Sequence, residues 1–290
     1  MKKPLFEKLA IVGVGLLGGS IGLKARGDNL VEHVIGIGRR EESLQKAQDA
    51  GAIDEFTLDL KSGVKDADLV ILATPVCHIV SILPDVMGSA KPGALVTDVG
   101  STKVSIVNAA ETVATGNGAL FVGSHPMAGS EKSGVEFSRP DLFEGTTCFL
   151  TPTPRTSLQA FASISQWWRA LGCRLAVARP ERHDALVALI SHLPHLVAVA
   201  LVRTVESFKE DQNLIKGIIG NGFRDTTRIA EASAEMWQDI CADNSAEIRK
   251  AAAAFMESLS SLLSAHDGDL SQLEAAFLAA CEYRKSLDER

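Results

Sequence analysis

Leu9-Ala-Ile-Val-Gly-Val-Gly-Leu-Leu-Gly-Gly-Ser20 decides the fold. Residues 9–12 read as a buried strand, Gly13 permits a tight turn, Gly15 lets a ligand approach the main chain, and Gly18 lets the next helix pack closely on the strand. The free N–H groups at the start of that helix make an anion site without any basic side chain. Gly13, Gly15 and Gly18, with Leu16 and Leu17 between them, therefore point to the pyrophosphate of a nicotinamide dinucleotide. Glycine makes up 24 of the 290 residues, so the spacing alone says little. What strengthens it is context: an apolar run before, a helical stretch over 20–24 after, and a second apolar run at 34–37.

Working outward, short apolar runs at 9–12, 34–37, 69–73, 94–99, 121–123 and 147–150 alternate with helical stretches. That alternation predicts a parallel, doubly wound sheet. In such sheets ligands sit at the carboxyl ends of strands, so the loops Ala73-Thr-Pro75, Asp98-Val-Gly-Ser101 and Ser124-His-Pro126 face the ligand, with Thr74 and Pro75 on the cofactor side. Thr151-Pro-Thr-Pro-Arg155 breaks the pattern, a helix follows over 158–171, and a last strand over 173–178. Pro180 marks a boundary. The expected α/β architecture is thus a Rossmann-type dinucleotide-binding domain over 1–179 and an all-helical domain over 180–290, where 246–265 and 270–287 carry helical periodicity. These helices are apolar enough to leave a face that needs a partner, and a homodimer through the helical domain is the expected solution.

The formal net charge of −7 and pI near 5.5 give no electrostatic footprint for nucleic acid or an anionic membrane. Five scattered cysteines, Cys77, Cys148, Cys173, Cys241 and Cys281, show no metal-ligand spacing and read as reduced thiols of a cytoplasmic protein. No metal is expected. The opening eight residues lack the apolar core of a secretory signal. No segment reads as long enough to span a bilayer: the nearest, 185–202, is interrupted by Ser191, His192, Pro194 and His195 and is expected to be a buried helix of a soluble protein.

An NAD-specific fold usually carries Asp or Glu at the end of the second strand for the ribose 2′-hydroxyl. This chain has Gly38-Arg39-Arg40 there. Two guanidiniums and no carboxylate favour NADP, with NAD still usable, unless Glu41 and Glu42 at the next helix start neutralise them.

Further along, Gly123-Ser-His-Pro-Met-Ala-Gly-Ser-Glu-Lys-Ser-Gly134 sets a histidine at a strand's carboxyl end among glycines. Taken alone, such a histidine is more often a structural hydrogen-bonder. Pro194, which costs about 3 kcal/mol in a regular helix interior, should mark a kink or a helix start beside Ser191 and His195. Arg224 and Arg228, four apart, share a helical face, where like charges cost roughly 0.2–0.5 kcal/mol unless an anion lies near. Asp225 leaves open a solvated, salt-bridged face instead.

Together with His183-Asp184, Ser191-His-Leu-Pro-His195, the run from Gly222 to Ala230, Trp237-Gln-Asp-Ile240 and Asn244, these motifs closely resemble the prephenate/arogenate dehydrogenase family of tyrosine biosynthesis. The resemblance covers most of the chain. It implies an oxidative decarboxylation: hydride leaves the carbinol carbon of a cyclohexadienol for the nicotinamide, carbon dioxide departs, and the ring becomes aromatic. It also implies a catalytic role for His125, which receives the ring hydroxyl's proton, with Ser101 contacting that hydroxyl or the nicotinamide side. Ser191, His195, Ser130 and Glu131 would line the pocket, Arg228 would clamp a carboxylate of a dicarboxylate substrate with Arg224 as a second basic group, and Trp237 would line the pocket from its own or the partner subunit. Prephenate and arogenate differ by a keto group against an amine, and Asp184 is a candidate partner for that amine. No regulatory domain or fused mutase is expected beyond 8–290, so feedback by tyrosine would have to act at the active site. The alternatives are a β-hydroxyacid dehydrogenase, whose catalytic-lysine pattern Lys216-Gly217 does not satisfy, and a non-catalytic NADP sensor, which needs no proton acceptor.

Overall fold

The computed structural model describes residues 3–113, 116, 118–129, 132–267 and 270–287. The strands are β1 (Phe6–Val12), β2 (Val31–Ile37), β3 (Glu55–Thr57), β4 (Leu69–Leu72), β5 (Leu95–Asp98), β6 (Leu120–Pro126), β7 (Thr147–Thr151) and β8 (Arg174–Val177). They form one sheet in the order β3-β2-β1-β4-β5-β6-β7-β8. The period of two sends Leu9, Ile11, Leu69 and Ile71 into one core and Ala10, Val12, Val70 and Leu72 into the other. Strands buried on both faces need such unbroken apolar runs, which is why they were visible in the sequence.

Helices α1 (Leu16–Gly27), α2 (Glu41–Asp49), α3 (Leu60–Val64), α4 (Val76–Ser89), α5 (Val104–Thr112) and α6 (Leu158–Ala170) alternate with the strands. At the β1–α1 turn Gly13 has φ +93°, and its N–H donates to the Ile37 carbonyl at 2.8 Å, so the turn is locked onto β2. A Cβ on Gly18 would lie 2.1 Å from the Gly13 carbonyl oxygen, which fixes how closely α1 can seat on β1.

Three sequence expectations change. β3 was not anticipated: Glu-Phe-Thr carries one apolar residue, and it becomes a strand only by pairing with Ile35–Ile37 of β2. β6 does not end at 123 but runs to Pro126, because β7 pairs antiparallel with it, His125 opposite Phe149 and Pro126 opposite Cys148. Ser124, His125 and Pro126 are therefore strand residues rather than a loop, and the sheet is mixed. Pro126 is tolerated because β5 pairs with β6 only through residues 120–122.

The third concerns the helices after β8. α7 (Pro180–Val187), a five-residue π-helical stretch (Ala188–His192) and α8 (Leu193–Ser207) follow one another without a break, Pro194 sitting in the first turn of α8. The resulting 28-residue helix is long and apolar enough to cross a membrane by length and composition, contrary to expectation, with a hydropathy of 2.2 in its most apolar window. It is not a buried helix either. Only 22% of that window is buried, and Ile190, Val199 and Val202 are exposed, while His183, Asp184 and His192 are buried. Val187, Ala188 and Ala198 are buried beside those polar groups, so many of the large apolar residues look outward while two histidines and an aspartate go in, which composition cannot reveal.

The chain packs as two compact units, Met1–Asn244 and Ser245–Arg290. The first also holds α9 (Gln212–Ile218), α10 (Asn221–Thr227) and α11 (Ala234–Asp243). The second consists of α12 (Ser245–Asp267) and α13 (Leu270–Ser286), with Phe255, Leu259, Leu263, Phe277 and Leu278 exposed.

Candidate active site

His125 is 9% exposed near the end of β6. Its Nδ1 lies 2.9 Å from His183 Nε2, and His183 Nδ1 lies 2.7 Å from Asp184 Oδ1. Those distances fix the tautomers. A carboxylate only accepts, so His183 carries its proton on Nδ1; its Nε2 then accepts from His125 Nδ1–H, which leaves His125 Nε2 as a bare lone pair. Burial holds His125 well below the ordinary histidine value, and His183, Lys103 and His192 push the same way. Its imidazole is neutral near pH 7, as a proton acceptor must be.

Asp184 is fully committed. Oδ1 also accepts the Lys103 amide at 2.7 Å and Oδ2 the Val104 amide at 2.9 Å, so the carboxylate holds the start of α5. This turns it away from the role considered for it, a partner for a substrate amine. Behind His125 lies a fully buried ion pair that the sequence reading passed over: Lys103 Nζ on Asp98 Oδ2. Lys103 Nζ donates to the Ser124 carbonyl at 3.0 Å, Asp98 Oδ1 accepts the Ser124 amide at 3.1 Å, and Trp168 Nε1 donates to Ser124 Oγ at 3.0 Å. The two peptide groups flanking Ser124, the residue before His125, are thus gripped by opposite charges. The available signal was a Lys and an Asp five apart flanking Gly100-Ser101 at the end of an otherwise apolar strand. Ser101 itself is half-buried in that loop.

A second group gathers around Trp237. The His195 ring stacks on it at 3.7 Å, and His192 meets its edge at 5.8 Å. Trp237 makes these contacts within its own chain. His195 Nδ1 lies 3.0 Å from the Ser191 carbonyl and so donates to it, leaving Nε2 as an acceptor. Burial lowers the His195 pKa, and the charge of Arg228 adds to this, which puts that guanidinium within electrostatic reach. Arg228 is the helical C-cap of α10, which ends at Thr227, and opens a 3₁₀ turn to Glu231, so the two arginines stand on either side of the change from α to 3₁₀. Both arginines and Asp225 are exposed. Ser130 and Glu131 lie outside the described residues.

Asn244 joins the two groups. Its Nδ2 donates to the Asp184 carbonyl at 2.8 Å and lies 3.2 Å from His192 Nδ1. Burial pushes His192 down to about 4, with His183 and His195 adding to the effect and Asp184 opposing it. The unfolded chain, with an ordinary value of about 6.5, binds this proton first. The group's contribution to stability is therefore complete above about pH 6.5 and is lost as pH falls toward about 4. Between about pH 7 and pH 5, where carboxylates stay ionised, His192 alone should cost about 2 kcal/mol of unfolding free energy. Urea titrations at the two pH values check this: His192→Asn should lose less stability over that interval than the parent, and equal losses would remove the account.

On the cofactor side, nothing lies within 4 Å of a Cβ built on Gly15, and α1 starts there with no side-chain cap and no acidic residue in its first turn. Leu16 and Leu17 pack against the core, and Thr74 Oγ1, after β4, is buried without a hydrogen-bond partner. Open space over free amides, beside an orphaned hydroxyl, fits a dinucleotide pyrophosphate. Arg39 and Arg40 are exposed at the end of β2, and Arg40 precedes α2. Glu42, one of the two carboxylates that could neutralise them, pairs with Lys46 at 2.7 Å and also feels the charge of Arg40.

Residues 21–177 match the family model "Prephenate dehydrogenase, nucleotide-binding domain", and 179–277 match "Prephenate dehydrogenase, dimerization domain". A prephenate dehydrogenase of Bacillus subtilis (strain 168) is 38% identical over 243 residues, covering 83% of this chain and 65% of that protein. The chain thus spans just under two thirds of that relative. A cyclohexadienyl dehydrogenase of Zymomonas mobilis is 30% identical over 270 residues, 91% of each chain. The crystal structure of prephenate dehydrogenase from A. aeolicus, in complex with hydroxyphenyl propionate and NAD+, superposes with a TM-score of 0.90 at 34% identity, over 97% of this chain and 98% of that one. Two consecutive family domains, on a mixed sheet whose carboxyl edge carries a histidine relay, place this chain in the prephenate dehydrogenase family.

Proposed function

We propose that the chain catalyses the NAD(P)-dependent oxidative decarboxylation of prephenate, arogenate or both, giving 4-hydroxyphenylpyruvate or tyrosine. The observation that carries this is the relay from Asp184 through His183, which leaves His125 Nε2 as a buried proton acceptor. When bound, the nicotinamide supplies a two-electron acceptor for the hydride. His125 Nε2 takes the ring hydroxyl proton as the ring carboxylate leaves as carbon dioxide. The imidazolium so formed is steadied by its Nδ1–H on His183, with the Asp184 charge behind it.

Arg228 is the proposed carboxylate clamp, with Arg224 as a second cation. His195 and Trp237 form a flat wall, stacked at 3.7 Å, against which a planar ring would lie. Ser101, Ser191, Ser130 and Glu131 are the polar lining in this reading. Gly13, Gly15, Leu16, Leu17, Gly18, Thr74 and Pro75 hold the dinucleotide, and Arg39 with Arg40 favours NADP over NAD. The functional division is taken at 179/180, and the protein as a cytoplasmic homodimer. Exposed Val199, Val202, Phe255 and Leu259 support the pairing, and free cysteines a reducing setting.

The test is a two-by-two rate comparison, prephenate and arogenate each with NAD and NADP. With two guanidiniums at the end of β2, NADP should give the higher kcat/KM by about tenfold or more, one paired charge being worth about 1.5–3 kcal/mol. No turnover of either substrate with either cofactor would end the proposal.

A further inference from the structure

β2, β1 and β4 are consecutive neighbours in the sheet. The segments following them, Gly13–Gly15, Gly38–Arg40 and the first turn of α4, therefore border one crevice at the carboxyl edge. Pyrophosphate over Gly15 directs the adenosine ribose toward the end of β2. His78, third residue of α4, is half-buried on the opposite lip. A Cβ on Gly13 would lie 2.7 Å from both the Ala73 carbonyl oxygen and Thr74 Cγ2, and the Gly13 N–H holds the Ile37 carbonyl, so the segment that leads into α4 and the end of β2 close on the same turn; the charge of Arg39 reaches the His78 ring across it. Resting on the reading of Arg39 and Arg40 as an NADP site, we infer that His78 is a specificity-determining residue that contacts the adenosine 2′-phosphate together with Arg39.

The chemistry follows from who surrounds the ring. Burial, and after it Arg39, lowers the His78 pKa, so without a ligand it is neutral at pH 7.5. Acidic groups from the elements packed on α4 are turned elsewhere. Asp239 of α11 lies 2.9 Å from the Cys77 thiol, and Asp243 of the same helix accepts from Ser105. Lys61 of α3 pairs with Asp85 of α4 at 2.9 Å, and the Oε1 of Glu111 of α5 is buried. The charge of Arg39 is the one that reaches the His78 ring and opposes its protonation. A phosphate dianion set between them reverses the sign of that influence and draws a proton onto the imidazole. NADP then binds with proton uptake and NAD without it, and discrimination sharpens as pH falls.

Calorimetric titration of the full chain with adenosine 2′,5′-bisphosphate and with AMP tests this without any turnover. Run at about pH 7.5 in two buffers of different ionisation enthalpy, it reads the protons taken up, since a free phosphate monoester is already dianionic there. The expected result is tighter binding of the bisphosphate, with uptake of a sizeable fraction of a proton by the parent and almost none by His78→Gln. AMP should show no uptake with either. The preference for bisphosphate should also grow about three- to tenfold from about pH 8 to about pH 6.5 in the parent and stay flatter in the variant. Tighter binding of the bisphosphate with no uptake, or with uptake unchanged in His78→Gln, overturns the role of His78 while leaving Arg39 in place. Bisphosphate no tighter than AMP overturns both.

Discussion

His125→Asn is expected to lower kcat by about 10²- to 10⁴-fold, the usual worth of a positioned general base, with KM changed by only about threefold. Asparagine fills similar space and can keep a donor toward His183 Nε2, so β6 and its pairing with β7 should stand. What it lacks is the Nε2 lone pair. The pH profile supplies a second readout. Because burial holds His125 well below the ordinary histidine value, the parent should keep its activity to well under pH 6.5 before protonation switches it off. Asparagine has no such group, so the residual rate of the variant should lack that acid limb. Equal maximal rates for parent and variant would sink the assignment, whatever happened to KM.

Arg228→Ala should act on the other parameter. A guanidinium that grips a carboxylate in the ground state as well as in the transition state raises KM when removed and leaves kcat nearly intact. The expected rise is about 10- to 100-fold, from a charge-assisted hydrogen bond of about 1.5–3 kcal/mol. Arg228→Lys should recover only part of it, since an ammonium cannot reproduce the planar fork. The guanidinium also helps hold His195 neutral, so the alanine variant should show a His195 imidazole that protonates at higher pH, visible by NMR. A variant with unchanged KM would show that the exposed Arg228 faces solvent and takes no substrate.

The sequence by itself determined the sheet and its ligand edge. Continuous apolar strands such as 9–12 and 69–72 need burial on both faces, and Gly13 and Gly18 have no alternative once a helix must follow β1 so closely. These are local demands, legible within a dozen residues. β3 and the antiparallel turn of β6 onto β7 were not legible, because each exists only through a partner strand remote in sequence.

Tertiary structure alone decided the proton chemistry. His125 and His183 are 58 residues apart, and Asp184 stands 80 and 81 residues from the two amides it holds. No spacing rule connects them, yet together they fix which nitrogen of His125 is bare. Lys103 and Asp98 are only five apart, but that their charges lie fully buried around Ser124 is set by packing. The same is true of the helix of 180–207, whose composition suggests burial but whose packing leaves Ile190, Val199 and Val202 exposed while His183 and His192 are buried. Periodicity records which residues avoid water. Which polar groups are brought out of water together, and so must share protons, is set only when the strands and helices close on one another.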